Sequence, residues 1–334
     1  MAHNFCTLFD KNYLTRGLAL HSSLLEHARP FKLWILCMDQ ETYTILAKLK
    51  LTNVILIKLS DFEDKQLLAV KSTRTPEEYC WTCTPSLPLY IFEKFPKVKM
   101  ISYLDADLYF YSSPKPIFDE MEKKSIMIIP HRFADRKKLK EKMNGTFNVG
   151  MLSFRRDTEG IKCLKWWRDQ CLDWCFYRFE EGKIGDQKYL EQFPRLFKNI
   201  CILNHVGAGV AVWNISQYRV WRNDKIIYID GAPLIFYHFA DLEIYSPLPF
   251  LLPSPLTNYG EISTNRNLIY NQYFQTIYRI TKKVRGYYSD FSFGFTPKPV
   301  GKYIKEAIIE KIVYLKRIPK LLREFGSTEN VTAF

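Results

Sequence analysis

Near its N-terminus the chain alternates short apolar runs with segments of helical period, and this alternation restricts the fold more than any other feature. Asn4–Phe9, Lys32–Met38 and Val54–Leu59 are rich in β-branched and large apolar residues. Between them, Tyr13–His27 repeats Leu14, Leu18, Leu20, Leu24 and Leu25 near helical spacing, and Glu41–Leu49 continues the pattern. Strands separated by helices need crossover connections, so the expectation is an α/β fold with a mixed, mostly parallel sheet flanked by helices. Further strands are expected at Met100–Leu104, Ser125–Pro130, Phe147–Phe154, Lys225–Ile229 and Pro233–Phe239. Helices are expected in the second half of Tyr79–Phe95, where Pro85 and Pro88 suit a helix start, and over Gly160–Glu180. The latter carries Leu164, Trp167, Cys171, Trp174 and Cys175 on one core-facing stripe.

The strand at Met100–Leu104 runs into Asp105-Ala106-Asp107. If the strand continues, residues i and i+2 face the same way and the two carboxylates point together. Paired carboxylates at the end of a buried strand repel and resist desolvation, so a positive partner is required. An oxygen-loving divalent cation that also grips a diphosphate meets that need. The bland alternative is a turn that happens to carry two acids.

The 334 residues suffice for one large or two ordinary domains, and 47% hydrophobic content supports a sizeable core. No apolar run is long enough to span a bilayer. The N-terminus lacks a basic region followed by an apolar stretch, so no signal peptide and a cytoplasmic location are expected. Eight cysteines in mostly apolar company are then expected to be core thiols rather than a disulfide framework. Cys80-Trp81-Thr82-Cys83 lacks the second ligand pair of a zinc site.

The net charge of +13 is uneven. From Glu261 to Phe334 there are thirteen Lys/Arg against six Asp/Glu, a net of +7 in the last 74 residues. Pro247, Pro249, Pro253 and Pro255 suggest a boundary between a domain over 1–245 and a basic extension over 246–334. Within the extension, Lys302–Arg317 reads as an amphipathic basic helix ended by Pro319. It suits either the inner membrane surface as a peripheral contact or a docking helix packed on the main domain.

Several segments together resemble the retaining GT-A glycosyltransferases of family 8, which include glycogenin and bacterial lipopolysaccharide galactosyltransferases. Thr7-Leu8-Phe9-Asp10-Lys11-Asn12-Tyr13 is similar to that family's nucleotide-binding opening, and Asp105-Ala106-Asp107 to its metal motif. Asn148-Val149-Gly150, Gly185-Asp186-Gln187, Trp213-Asn214 and Phe236-Tyr237-His238-Phe239 follow in the family's order, across about residues 4–240. The resemblance implies a GT-A fold with a C-terminal helical extension, and a UDP-sugar donor contacted by Thr7, Leu8, Asp10, Asn12, Tyr13, Ala106 and Asn148. It further implies that Lys71 and Arg74 contact the diphosphate or sugar. The metal, Mn²⁺ or Mg²⁺, would be held by Asp105, Asp107 and His238, with His205 as the rival third ligand. Asp186 would bind sugar hydroxyls and Gln187 would lie near the anomeric carbon.

The implied activity is transfer to a glycan or glycolipid acceptor in lipopolysaccharide or capsule synthesis. The family often follows its last histidine with Gly-x-x-Lys-Pro-Trp. Here Phe239-Ala240-Asp241-Leu242-Glu243 follows, so phosphate must meet other cations. A sugar nucleotidyltransferase would show a Gly-rich basic loop after the first strand, and Thr7–Gly17 has none. A nucleic-acid-binding protein is the other alternative, and no recognisable binding motif supports it.

Overall fold

The N-terminal alternation folds as its pattern demands. β1 (His3–Phe9), α1 (Leu14–His27), β2 (Phe31–Cys37), α2 (Gln40–Leu49) and β3 (Val54–Lys58) form two successive strand-helix-strand units. The three strands run parallel, with β1 paired to β2 from His3–Phe31 through Phe9–Cys37 and β2 paired to β3. Phe5, Cys6, Leu33, Ile35 and Leu36 are fully buried. A strand covered on both faces reads as a continuous apolar run, and these do. α1 lies so close to β1 that a Cβ at Gly17 would fall 2.3 Å from the Phe9 ring. The computed structural model describes residues 2–135, 139–246, 252–253, 256–257, 260–261 and 266–297.

Four short helices follow: α3 (Leu59–Phe62), α4 (Lys65–Lys71), α5 (Pro76–Cys83) and α6 (Ser86–Lys94). The helical half of Tyr79–Phe95 therefore begins earlier than expected. Thr75 caps α5 in a reciprocal box, in which Glu78 N donates to Thr75 Oγ1 (3.2 Å) and Thr75 N donates to Glu78 Oε2 (2.8 Å). Pro76 sits at the first turn, where its missing N–H costs nothing.

The sheet is completed by β4 (Met100–Leu104), β6 (Ile126–Pro130), β7 (Phe147–Arg155) and β8 (Ile200–Ile202), with β5 (Leu108–Phe110) leaving it just after β4. The strand order is β3-β2-β1-β4-β7-β6-β8. β7 is antiparallel to both β4 and β6, and the other pairings are parallel. α7 (Lys115–Met121), α8 (Leu139–Asn144), α9 (Thr158–Asp173) and α10 (Phe193–Leu196) complete this part. α9 stops at Asp173, seven residues before the expected end. Trp174 turns extended, yet Trp174 and Cys175 remain buried. The apolar pattern outlasts the helix because the next segment is also pressed onto the core.

The later strands β9 (Val210–Ala211), β10 (Val220–Asn223), β11 (Ile226–Ile229), β12 (Ala232–Pro233) and β13 (Phe236–His238) lie outside the main sheet. β13 pairs antiparallel with β5, Phe236 opposite Phe110 and His238 opposite Leu108, and parallel with β9. α11 (Arg266–Arg285) packs Ile269, Tyr273 and Ile277 into the same apolar cluster as Tyr109, Tyr237 and Phe239. The Phe239 and Tyr273 rings stack at 3.8 Å, and the hydroxyls of Tyr109 and Thr276 lie 3.1 Å apart. All eight cysteines are free thiols. No helix among the described residues is long and apolar enough to cross a membrane. The expected basic helix at 302–317 lies outside the described residues.

Candidate metal and nucleotide site

β4 delivers Asp105 at its C-terminal end, and the backbone of Asp105 still pairs with β7 by donating to Gly150 O at 2.8 Å. The strand does not continue through Asp107 as expected. Ala106 and Asp107 form a turn, closed by Leu108 N donating to Asp105 O at 3.2 Å. The carboxylates converge because the turn folds Asp107 back, not because a strand alternates.

β13 brings His238 to this turn through its pairing with β5, and Phe239 N locks it by donating to Asp107 O at 3.0 Å. His238 Nε2 lies 3.0 Å from Asp107 Oδ1 and 3.6 Å from Asp105 Oδ2. One ligand atom from each of the three residues falls within 4.8 Å of the others. His205 is not part of the group: its Nδ1 accepts from Gly207 N and its backbone N–H donates to Glu120.

Burial pushes Asp105 up to about 6, with His238 opposing and Asp107 adding repulsion. Burial acts on Asp107 too, but adjacent His238 and then Arg16 hold it below the usual carboxylate value. For His238 burial favours the neutral ring, and the two carboxylates outweigh it and raise the pKa. The three groups share too little positive charge among them, which is the condition a divalent cation relieves.

The atoms behind His238 fix its tautomer. Asn148 Oδ1 accepts from Gly150 N at 2.9 Å, which orients the amide, and His238 Nδ1 donates to the same oxygen at 3.1 Å. Nε2 is left facing the carboxylates. Asn148 Nδ2 donates to Gln187 Oε1 at 2.9 Å and faces His131 Nε2 at 3.3 Å. His131 Nδ1 in turn donates to Gly145 O at 2.8 Å, and burial holds this ring down to about 3, hence neutral. A Cβ at Gly150 would lie 2.5 Å from Asn148 Oδ1 and 2.8 Å from His238 Nδ1. Two carboxylates and an imidazole whose far nitrogen is held by an amide are a donor set suited to Mn²⁺ or Mg²⁺.

A cavity of about 960 Å³ opens beside Asp105 and Asp107. Of the residues expected to contact nucleotide, Leu8, Asp10, Asn12, Tyr13, Lys71, Arg74 and Ala106 line it. Thr7 and Asn148 do not: Thr7 is fully buried within β1, and Asn148 stands behind His238. Asp10 shapes the loop, accepting from Asn12 N (3.0 Å) and Tyr13 N (3.2 Å). Lys71 Nζ is paired with Glu63 at 2.6 Å, and Arg74 lies 3.9 Å over the Phe176 ring.

Asp186 is buried, does not line the cavity, and its Oδ2 has no hydrogen-bond partner among the described residues. Burial, then the nearby Asp105 charge, lifts it to about 8, so it is mostly a neutral acid at pH 7. Gln187 does not line the cavity. Its Oε1 accepts from Asn148 Nδ2 and Val149 N (3.3 Å), and its Nε2 donates to Asn144 O at 2.8 Å.

Sequence reasoning missed Arg16, a buried cation beside Asp107 that donates to Leu242 O at 2.8 Å and Asn12 O at 3.1 Å. Its signal was a charge next to Leu14 and Leu18 on the buried face of α1, which requires partners.

Residues 4–201 match the family described as Glycosyl transferase family 8. The chain is 35% identical to the uncharacterized protein YfnF of Bacillus subtilis (strain 168), over 74% of this chain and 84% of that one. It is 32% identical to YfnD of the same organism, over 88% and 95%. Among solved structures, the galactosyltransferase LgtC in complex with donor and acceptor sugar analogs is similar at 14% identity and TM-score 0.49, covering 85% of this chain and 99% of that one. Mouse xyloside xylosyltransferase 1 is similar at 15% identity and TM-score 0.45, covering 72% and 98%.

Proposed function

The chain belongs to glycosyl transferase family 8 and is a glycosyltransferase, and from that premise we propose that it moves a sugar from a UDP-sugar to a glycan or glycolipid acceptor with Asp105, Asp107 and His238 holding Mn²⁺ or Mg²⁺. The observation that carries the proposal is the convergence of those three side chains, one ligand atom each within 4.8 Å, beside the cavity of about 960 Å³. Bound there, a divalent cation would neutralise the negative charge that develops on the departing diphosphate.

The chain's own residues do the rest. The loop shaped by Asp10 presents Asn12 and the Tyr13 ring, 41% exposed, for the nucleotide. Lys71 and Arg74 supply positive charge on the cavity wall in place of the family's missing lysine. Asp186, kept neutral by burial, donates a hydrogen bond to a sugar hydroxyl. Gln187 is a positioning residue that holds Asn148, which holds His238. Retention of configuration, implied by the resemblance, belongs to the same proposal and is read from the anomeric proton of the product.

Synthesis of a cell-surface glycan at the inner face of the membrane is the matching setting, supported by the net +7 of the last 74 residues. Unchanged liposome binding after deletion of residues 301–334 would remove the membrane part. The transfer itself is tested by UDP release from a panel of UDP-sugars. Slow hydrolysis of one donor is expected with Mn²⁺, lost with EDTA and in Asp107→Ala. Failure of any uridine nucleotide to bind in the presence of Mn²⁺ refutes the assignment.

A further inference from the structure

The metal cluster and nucleotide end leave one part of the cavity unused, the rim formed by α5 and the segment after α9. Residues 174–185 are irregular but firmly held. Tyr177 N donates to Glu78 Oε1 at 2.8 Å, Gly185 N to Phe176 O at 3.0 Å, and Tyr189 Oη to Trp174 O at 2.8 Å. Glu180 and Lys183 exchange backbone hydrogen bonds at 3.1 and 2.8 Å. The guanidinium groups of Arg74 and Arg178 lie over the Phe176 ring at 3.9 and 4.3 Å.

This anchored segment nevertheless holds the Tyr177 ring out in solvent, 62% exposed. Its neighbour is Trp81 of α5, with ring centroids 5.4 Å apart and planes at 59°. Trp81 is backed by Gly185, where a Cβ would come within 3.2 Å of the indole. Neither the Trp81 indole N–H nor the Tyr177 hydroxyl has a hydrogen-bond partner among the described residues. The Glu77 carboxylate beside them has no hydrogen bond or ion pair among those residues either. All three line the same cavity as Asp105 and Asp107.

An exposed Tyr177 ring beside the half-buried Trp81 indole on a rigid support, with an uncommitted carboxylate and two uncommitted donors, is the complement of a pyranose. Its axial C–H groups present an apolar face, and its equatorial hydroxyls present donors and acceptors around the edge. At about 960 Å³ the cavity is near the upper end of the ~300–1,000 Å³ range for small-molecule sites, which leaves space beyond one donor.

We propose that Trp81, Tyr177 and Glu77 form the acceptor subsite: a pyranose unit of the glycan stacks on the Trp81–Tyr177 pair and donates hydroxyl hydrogen bonds to Glu77. This rests on the transferase reading above and adds where the acceptor sits.

The test uses the full chain with Mn²⁺, the UDP-sugar that the wild type hydrolyses, and a panel of p-nitrophenyl pyranosides at millimolar concentration as acceptors. Tyr177→Ala is expected to raise KM for the accepted glycoside about tenfold, as removal of a stacking aromatic does, while KM for the UDP-sugar stays within about twofold. Tyr177→Phe keeps the stack and loses only the hydroxyl, so its glycoside KM is expected to rise by less than that of Tyr177→Ala, with the donor KM within about twofold of wild type. Glu77→Gln is expected to raise the glycoside KM and leave the donor KM in place. An unchanged glycoside KM in both Tyr177→Ala and Glu77→Gln overturns the proposal, as does an equal rise in donor KM. So does a wild type that hydrolyses donor but transfers to none of the glycosides. A wild type that neither hydrolyses donor nor binds nucleotide overturns the transferase reading instead, and the subsite falls with it.

Discussion

Asp186→Asn should stabilise the metal-free protein, and by an amount that grows with pH. Asp186 is 5% exposed and its carboxyl titrates at about 8 in the fold, against about 3.9 in the unfolded chain. A carboxyl raised on folding costs nothing below the unfolded pKa. The cost then accumulates as pH rises through the window from about 4 to about 8, because the unfolded chain releases a proton that the folded chain keeps. Linkage puts it at about 1–2 kcal/mol at pH 5 and about 5 kcal/mol at pH 8. Asparagine has nearly the same shape and does not ionise, so the stability difference between variant and wild type should widen by about 3–4 kcal/mol over that interval. Urea unfolding in EDTA at several pH values between 5 and 8 measures it. Adding Mn²⁺ should narrow the gap, since Asp105 is the second cause of the shift. Parallel pH profiles for wild type and variant would mean that Asp186 ionises normally, and the neutral-donor role given to it would fall.

Three further outcomes follow from the geometry around His238. Mn²⁺ affinity, measured by calorimetry, should fall with pH below about 6, where Asp105 takes up a proton and His238, raised by its carboxylates, must lose one to bind; the slope approaches about two decades per pH unit where both are protonated. An affinity constant from pH 8 to 5 would place the metal elsewhere. Gly150→Ala inserts a Cβ 2.5 Å from Asn148 Oδ1 and 2.8 Å from His238 Nδ1, so Mn²⁺ affinity should drop by about 10–100-fold with the far-UV circular dichroism retained. His205→Ala should leave that affinity alone, and a loss there would restore His205 as the ligand.

Much of this was legible in the sequence, for identifiable reasons. β1 and β2 are buried on both faces, so they could be read as apolar runs, and α1 between them repeats leucine at helical spacing. Asp105 and Asp107 stood out because acids at the end of such a run demand explanation. The turn at Ala106 was not legible, since apolar residues continue after it into β5 whether the backbone extends or folds back. The start of α5 carried its capping box in Thr75 and Glu78, but Pro85 and Pro88 drew the boundary later. The end of α9 misled because Trp174 and Cys175 keep the apolar spacing after the helix has stopped. The Asn148–Gln187–His131 network joins segments distant in sequence and follows no local period. His205 and His238 both follow apolar strands. The pairing of β13 with β5 brings His238, and not His205, beside Asp105 and Asp107, and pairing partners are not written in either strand alone.

The arrangement also explains why the fold tolerates a cluster that burial disfavours. Asp105 and Asp186 are each pushed toward the neutral acid, while His238, then Arg16, and a backbone hydrogen bond hold Asp107 below the usual carboxylate value. His238 is held there by β13 and by Asn148, and Arg16 is held by Leu242 O, four residues further along the same segment. One stretch, Phe236–Leu242, thus supplies the imidazole of the candidate cluster and anchors the Arg16 guanidinium beside Asp107. That stretch is fixed in turn by Tyr237 and Phe239 packing on Tyr270 and Tyr273 of α11. The negative charge is therefore concentrated by rigid packing at a point where, among the described residues, His238 and Arg16 are the positive partners that hold Asp107 down. Charge held this way is what a small divalent ion would relieve better than a diffuse monovalent one, because the candidate ligands cannot spread apart to ease their repulsion.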